Sequence, residues 1–304
     1  MATEVSAERA ALAPPRASAT NHPPSWYVGQ VVRYSILIAM TVILLGPFVL
    51  ALLGSFKSNA EVLAYPPTFL PSQWRIQNYV DVWNNVTDRS TGAPLMPRWI
   101  FNSLFLAVIH VVVYLFFCSL AAFAFARLRF PGRDLILGAT LATLMVPAMV
   151  ILIPKYQIIA SLHWVNTYWA LIVPGIAGAF GVFFLTQFFR GIPKDLEEAA
   201  QIDGAGLFTI YYRVILPMAQ PALITLAILE FQGSWNGFTD ALIMLNTPEM
   251  FTLPVGLSFL KGTYISFYNL VLAGSMFNTL PVLIIFALFS RYYVSTGVGS
   301  AVKG

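Results

Sequence analysis

The sequence predicts an all-α, polytopic membrane protein with six spanning helices, and three observations carry that prediction. Of its 304 residues, 58% are hydrophobic and only 10% are charged, where a soluble domain carries about 25% charged residues. Six runs are long and apolar enough to cross a hydrocarbon core, which takes roughly 20 helical residues. Lys and Arg are unevenly shared between the two sets of connecting segments that six spans produce. A single hydrophobic core stops growing near about 250 to 300 residues, so the surplus apolar surface has to meet lipid.

In chain order, residues 1–30 are rich in Ala, Pro, Ser and Thr and lack the apolar middle of a secretory signal, so they read as a disordered tail. Residues 31–97 hold a first span, about 34–53, and a long loop. Residues 98–291 hold the remaining spans, about 104–126, 135–153, 169–189, 222–245 and 270–289. Only the fifth of the six contains Asp or Glu, at Glu230 and Asp240, and none contains Lys or Arg. A tail, 292–304, follows. The set of segments that includes both termini holds eleven Lys and Arg, the opposite set six. The positive-inside rule therefore places both termini in the cytoplasm and loops 54–103, 154–168 and 246–269 outside.

The net charge of +4 is scattered and forms no basic stripe, which excludes a nucleic-acid footprint. The single cysteine, Cys118, lies in an apolar stretch and rules out an internal disulfide; it reads as a small core residue. In the fourth span, Pro174, Gly175, Gly178 and Gly181 point to close helix packing or a bend.

Between the fourth and fifth spans, residues 190–220 read as two short helices. Pro193 suits a first helical position, and Asp195, Glu197 and Glu198 complement the positive helix N-terminus. Leu196, Ala199 and Ala200 give an apolar face. Gly204 ends the first helix; a second starts at Leu207 and Pro217 helps to end it. Exposed apolar area on such a hairpin needs a cover. Physics alone leaves two candidates, lipid headgroups or its own neighbours on one hand and another protein on the other.

Glu198-Ala199-Ala200, then Gly204, then Val214, Leu216 and Pro217, with Asp203-Gly204-Ala205 between, resemble the EAA loop of permease subunits of binding-protein-dependent ABC importers. The resemblance covers nearly the whole chain after residue 30. It is similar to the carbohydrate-uptake branch, near the second permease of maltose-type and glycerol-phosphate-type systems. Ser55-Phe56-Lys57 with Pro66-Pro67, Asn78-Tyr79, Asn102-Ser103, Trp235-Asn236 with Phe238, and the terminal Ala301-Val302-Lys303-Gly304 carry it further, although Thr296 and Ser300 stand where glycines are usual. The resemblance implies a type I ABC importer permease fold in a bacterial-type cytoplasmic (inner) membrane. It implies four kinds of partner: an ATPase dimer that binds ATP and Mg, a second permease, an extracytoplasmic solute-binding protein, and a sugar or sugar-like substrate. It assigns ATPase coupling to Glu198, Ala199, Ala200, Asp203, Gly204, Ala205, Leu216 and Pro217, and a tail contact to Val302, Lys303 and Gly304. The sequence has no G-x-x-x-x-G-K-[ST] phosphate loop, so this chain binds no nucleotide in that way.

In the fifth span a carboxylate near the bilayer centre costs about 2.5 to 3.5 kcal/mol, so Glu230 should avoid lipid. At 100° per residue Gln232, Trp235 and Asn236 share a face with Thr239, while Glu230, Ser234 and Gly237 lie roughly opposite. An indole beside two amides suits a sugar, which nominates Gln232, Trp235 and Asn236 as substrate-path residues. The alternative is that Trp235-Asn236 is a packing and hinge element. Without a mapped partner, Glu230 reads as a structural hydrogen-bonding group; His110 and His163 lack metal-ligand companions and read as structural too. Residues 250–261 form an outer loop able to dip toward the substrate entrance. The rival classes are a self-sufficient secondary transporter, which would show repeated halves and ion ligands, and a membrane enzyme, which would show a catalytic constellation; neither feature is visible.

Overall fold

A computed structural model describes residues 24–88, 91–263 and 267–298. Among these residues the protein is helical and has no strand beyond an isolated bridge between Thr87 and Pro94. The chain divides into two units, the first ending at Ala51.

The described part of the first unit is one helix, α1 (Pro24–Ser55), whose last four residues belong to the second. It starts ten residues ahead of the predicted span, so the tail prediction covers helical residues from Pro24 on; residues 1–23 lie outside the described part. Its side chains from Tyr34 to Leu52 are almost all exposed and apolar, a surface fitted to lipid.

In the second unit the chain makes a short helix α2 (Asn59–Val62) and then α3 (Gln77–Asn85). Next comes α4 (Met96–Arg127), a long unbroken helix with Pro97 in its first turn, where a missing N–H costs nothing. Two cores lie along α4. One gathers Cys118, Phe123, Leu185, Phe189, Ile210 and Ile215 near its C-terminal end; the other gathers Met96, Trp99, Phe231, Trp235 and Leu253 near its N-terminal end.

The predicted third span is not one helix. Helix α5 (Arg133–Ala142) and a 3-10 turn (Thr143–Met145) stop there, and α6 (Leu152–Ser161) begins after a gap. Val146, the residue before Pro147, is extended at φ −84° and ψ 119°, as the Pro147 ring demands of its predecessor. The fourth span is α7 (Trp169–Ile172) with a 3-10 turn to Gly175, then α8 (Ala179–Gly191), bent by 40°. Both sequence readings of its glycines hold. The rings of His110 and Tyr114 on α4 lie so close to Gly175, Gly178 and Gly181 that none has room for a Cβ, while Gly178 is extended and starts α8.

After the hairpin described below, α12 (Gln220–Trp235) follows, and the fifth span then departs from prediction. The helix stops at Trp235, turns through Asn236–Phe238 and resumes as α13 (Thr239–Met244). A 3-10 turn (Pro248–Met250), α14 (Leu253–Thr263) and α15 (Tyr268–Val298) complete the described chain. Among the described residues three helices are long and apolar enough to cross a membrane, or up to five if each of two bent pairs is one span.

The three loops that charge counting groups on one side are bonded to one another. Asn78 donates to the carbonyls of Ser55 and Lys57 and accepts from Asn269. Ser55 bonds the Tyr79 hydroxyl at 2.7 Å, and buried Lys57 donates to Thr68. Asn166 accepts from the N–H groups of Asn246 and Thr247. Trp99 and Asn102, in the first turns of α4, donate to the carbonyls of Pro248, Glu249 and Phe251, while Ser103 accepts from the Leu253 N–H. The segment predicted to dip as a loop is thus a turn and helix strapped to α4, with Phe251, Leu253 and Val255 facing in.

Candidate functional site

The hairpin predicted at 190–220 follows α8 and packs against the C-terminal end of α4. Its first helix is α9 (Asp195–Ile202), with three acids in the first turn. Lys194 is the residue before that helix, so Pro193 stands just outside it rather than at its first position. Gly204 sits at φ +84°. Its N–H bonds the Gln201 carbonyl, and the Ala205 N–H bonds the Ala200 carbonyl, each at 2.9 Å. Those two bonds define a Schellman stop, in which the left-handed residue is nearly always glycine. A Cβ on Gly204 would touch nothing, so it is the backbone conformation, not space, that excludes other residues.

The second arm is α10 (Leu207–Ile210), a π turn (Tyr211–Ile215) and α11 (Leu216–Met218). Pro217 has no N–H for the carbonyl four residues earlier and its ring crowds it, which accounts for the widened turn. This arm meets α12 at 76°.

Two residues of α4 tie the hairpin to it. Arg127 pairs with Glu197 and also donates to the Ile192 carbonyl at 2.8 Å; Ser119 bonds the Tyr211 hydroxyl at 2.8 Å. Burial holds the Glu197 carboxyl above its ordinary pKa, and the Arg127 guanidinium offsets only part of that rise. The sequence pattern singles out Glu198, but it is the neighbouring Glu197 that is spent on the chain's own fold. Glu198 is exposed and makes no ion pair among the described residues. Ala199, Asp203 and Gly204 are exposed as well, while Ala200, Ala205 and Leu216 pack against the core below. At the tip Ile202 is 87% exposed, Phe208 69% and Leu207 55%. Val302, Lys303 and Gly304 lie outside the described residues.

The three nominated path residues do not stand together. Trp235 is 1% exposed, its indole N–H donates to the Asn278 carbonyl at 3.0 Å and its ring stacks on Phe231 at 5.9 Å. Within this chain it is a packing residue at the end of α12. Asn236 is exposed and bonds the Gln232 carbonyl, and Gln232 is half-buried. Because the helix ends there, Thr239 is not on their face.

The opposite face carries what sequence reasoning missed. Glu230 Oε2 stands 3.4 Å from His110 Nε2 on α4, so the intramembrane acid does have a histidine partner. Asp240 pairs with Lys155 at 2.6 Å. Glu230, His110, Ser234, Gly237, Asp240 and Thr252 all border one cavity of about 180 Å³. The helical wheel separates Glu230, Ser234 and Gly237 from the other face, and that is the one available signal; a partner 120 positions away leaves no local mark.

The family described as binding-protein-dependent transport system inner membrane component matches residues 115–295. The arabinooligosaccharides transport system permease protein AraQ of Bacillus subtilis is 35% identical over 93% of this chain and 99% of its own length. The trehalose/maltose transport system permease protein MalG of Thermococcus litoralis is 33% identical over 88% of this chain and 94% of its own. A chain in the crystal structure of a bacterial ABC transporter involved in the import of the acidic polysaccharide alginate shares the fold, with a TM-score of 0.75 at 23% identity over 90% of this chain and 99% of that one.

Proposed function

Because the chain belongs to the family of binding-protein-dependent transport system inner membrane components, we propose that it is the permease of an ATP-driven importer for a sugar or sugar-like solute, coupled to a separate ATPase through the hairpin. The observation that carries this reading is the hairpin's division of labour. Glu197, Ala200, Tyr211 and Ile215 hold it to the chain, while Glu198, Ile202, Leu207 and Phe208 present an acid and three large apolar groups outward. Apolar side chains that exposed, on a rigidly anchored tip, fit a groove in another protein better than water.

The sugar class is supported by relatives named for arabinooligosaccharides and for trehalose and maltose. The chain contributes half of a path completed by a second permease, and a solute-binding protein delivers substrate from outside. ATP and Mg stay on the ATPase. Both termini and the hairpin face the cytoplasm, and the tail carrying Val302, Lys303 and Gly304 reaches the same ATPase. Gln232 and Asn236 border the path, with Trp235 pinning the helix end that carries them. ATP binding closes the ATPase dimer, the docked hairpin moves as a lever, and the bundles rock between outward and inward access.

Co-expression with candidate ATPase and permease subunits, followed by purification on a tag on this chain and reconstitution, tests the reading. Retention of the ATPase and ATP-dependent uptake from a panel of arabinotriose, trehalose and maltose, supplied with the binding protein, is the expected result. Uptake of a panel sugar by this chain alone, driven by an ion gradient, would overturn it in favour of a secondary transporter.

A further inference from the structure

Five polar side chains converge on the 180 Å³ cavity between α4, α7, α12, α13 and the 248–253 strap: His110, Glu230, Ser234, Asp240 and Thr252. Two of the carboxylate contacts are spoken for, since Glu230 lies against His110 and Asp240 against Lys155. Thr252 is different. It is 4% exposed, and its hydroxyl is buried without a hydrogen-bond partner. An orphaned buried hydroxyl is costly unless something in the cavity satisfies it.

We propose that this cavity is a solute subsite, separate from the Gln232 and Asn236 face, that takes one uncharged, hydroxyl-bearing unit of the transported molecule. The inference rests on the importer reading above and gives it a substrate chemistry. Volume sets the size: at about 30 Å³ per water the cavity holds roughly six waters' worth of matter, enough for one end unit and not for a chain. Composition sets the charge. The lining has two carboxylates and no Lys or Arg; Lys155 counters Asp240, which leaves the half-buried Glu230 to welcome hydroxyl donors and to repel a carboxylated unit. Glu230 and Asp240 accept from solute hydroxyls, while Thr252 and Ser234 accept or donate. Gly233 and Gly237 keep the α12 side of the cavity low. A second reason favours binding over mere packing: the helix break at 236–238 and the strap both border the cavity, so a bound unit touches the elements that gating must move.

The test uses the reconstituted transporter with its ATPase, second permease and binding protein. Wild-type uptake of the panel named above decides the importer reading by itself. With whichever sugar is carried, Thr252→Val, which keeps shape and removes the hydroxyl, is expected to raise KM about three- to tenfold with kcat within about twofold; an effect on assembled yield with KM unchanged would assign Thr252 a structural role and sink the subsite. Ser234→Cys supplies a readout that needs no solute. A cationic methanethiosulfonate reagent is expected to modify it at least about tenfold faster than an anionic one of the same size, with Glu230→Gln narrowing the ratio and the carried sugar slowing the reaction. Equal rates for the two reagents, no modification, or no protection by a sugar that the wild type transports would each overturn the subsite while leaving the importer reading intact.

Discussion

The two ends of α4 hold neighbouring chain by the same means and leave opposite surfaces. At its N-terminal end Trp99, Asn102 and Ser103 bind the backbone of residues 248–253, and the strap's large apolar groups Phe251, Leu253 and Val255 turn inward. At its C-terminal end Arg127 and Ser119 bind the hairpin, but Ile202, Leu207 and Phe208 turn outward. The anchors are comparable, so the exposed tip does not result from loose attachment. One end turns the apolar groups of its strap inward; the other presents a fixed, exposed apolar surface, which the proposed reading gives to a second chain to cover.

The largest expected break in this comparison is Arg127→Ala. It strands the Glu197 carboxylate in a buried site, which costs about 3 to 5 kcal/mol, and should abolish both uptake and recovery of assembled transporter in detergent. Adding Glu197→Gln removes the stranded charge and should restore most of the yield.

A methyl at Gly256 would enter the Trp99 ring. Gly256→Ala should therefore cost about 1 to 3 kcal/mol by overpacking, lowering thermal stability of the purified complex without altering uptake per ATP hydrolysed. If that ratio fell, the strap would be a coupling element and the contrast between the ends would fail.

Gly204→Leu forces a left-handed conformation on a branched side chain at about 1 to 2 kcal/mol. Uptake in vesicles should drop at least about tenfold with ATP hydrolysis retained, while Gly204→Asn, which tolerates that conformation, keeps most uptake; full uptake by the leucine variant would contradict the lever.

The smallest effect concerns Glu61. The backbone N–H of Ser72 holds its carboxyl below the usual carboxylate range. A lowered folded pKa means that the ordering of residues 61–72 is complete above the ordinary value and is lost as pH falls through the lowered one. Hydrogen exchange at Ser72 should rise between neutral pH and about pH 3, after correction for the intrinsic rate, and Glu61→Gln should remove the pH dependence.

Much of both ends is legible in the sequence, for different reasons. Continuous apolar runs mark spans one, two and six because lipid imposes one requirement on every residue. Gly204 is legible because a left-handed stop leaves chemistry almost no other choice. The break at Val146–Pro147 was also written, in the proline rule, but an apolar run spreading across it reads as a single span. Trp235 shows the limit of a helical wheel, which separates faces and says nothing of what each face meets; the indole that suits a sugar lies against Phe231 and the Asn278 carbonyl. The pair His110–Glu230 was illegible for a plainer reason, since the two lie on helices whose adjacency only the packed structure supplies.

The most direct test of the central claim is a cross-linking amino acid placed at Ile202 in the complete transporter, with Ser72 as the control position. A covalent adduct with the ATPase subunit from position 202 and none from position 72 is the predicted result. Adducts from position 202 that contain only lipid or this chain itself would contradict the docked hairpin.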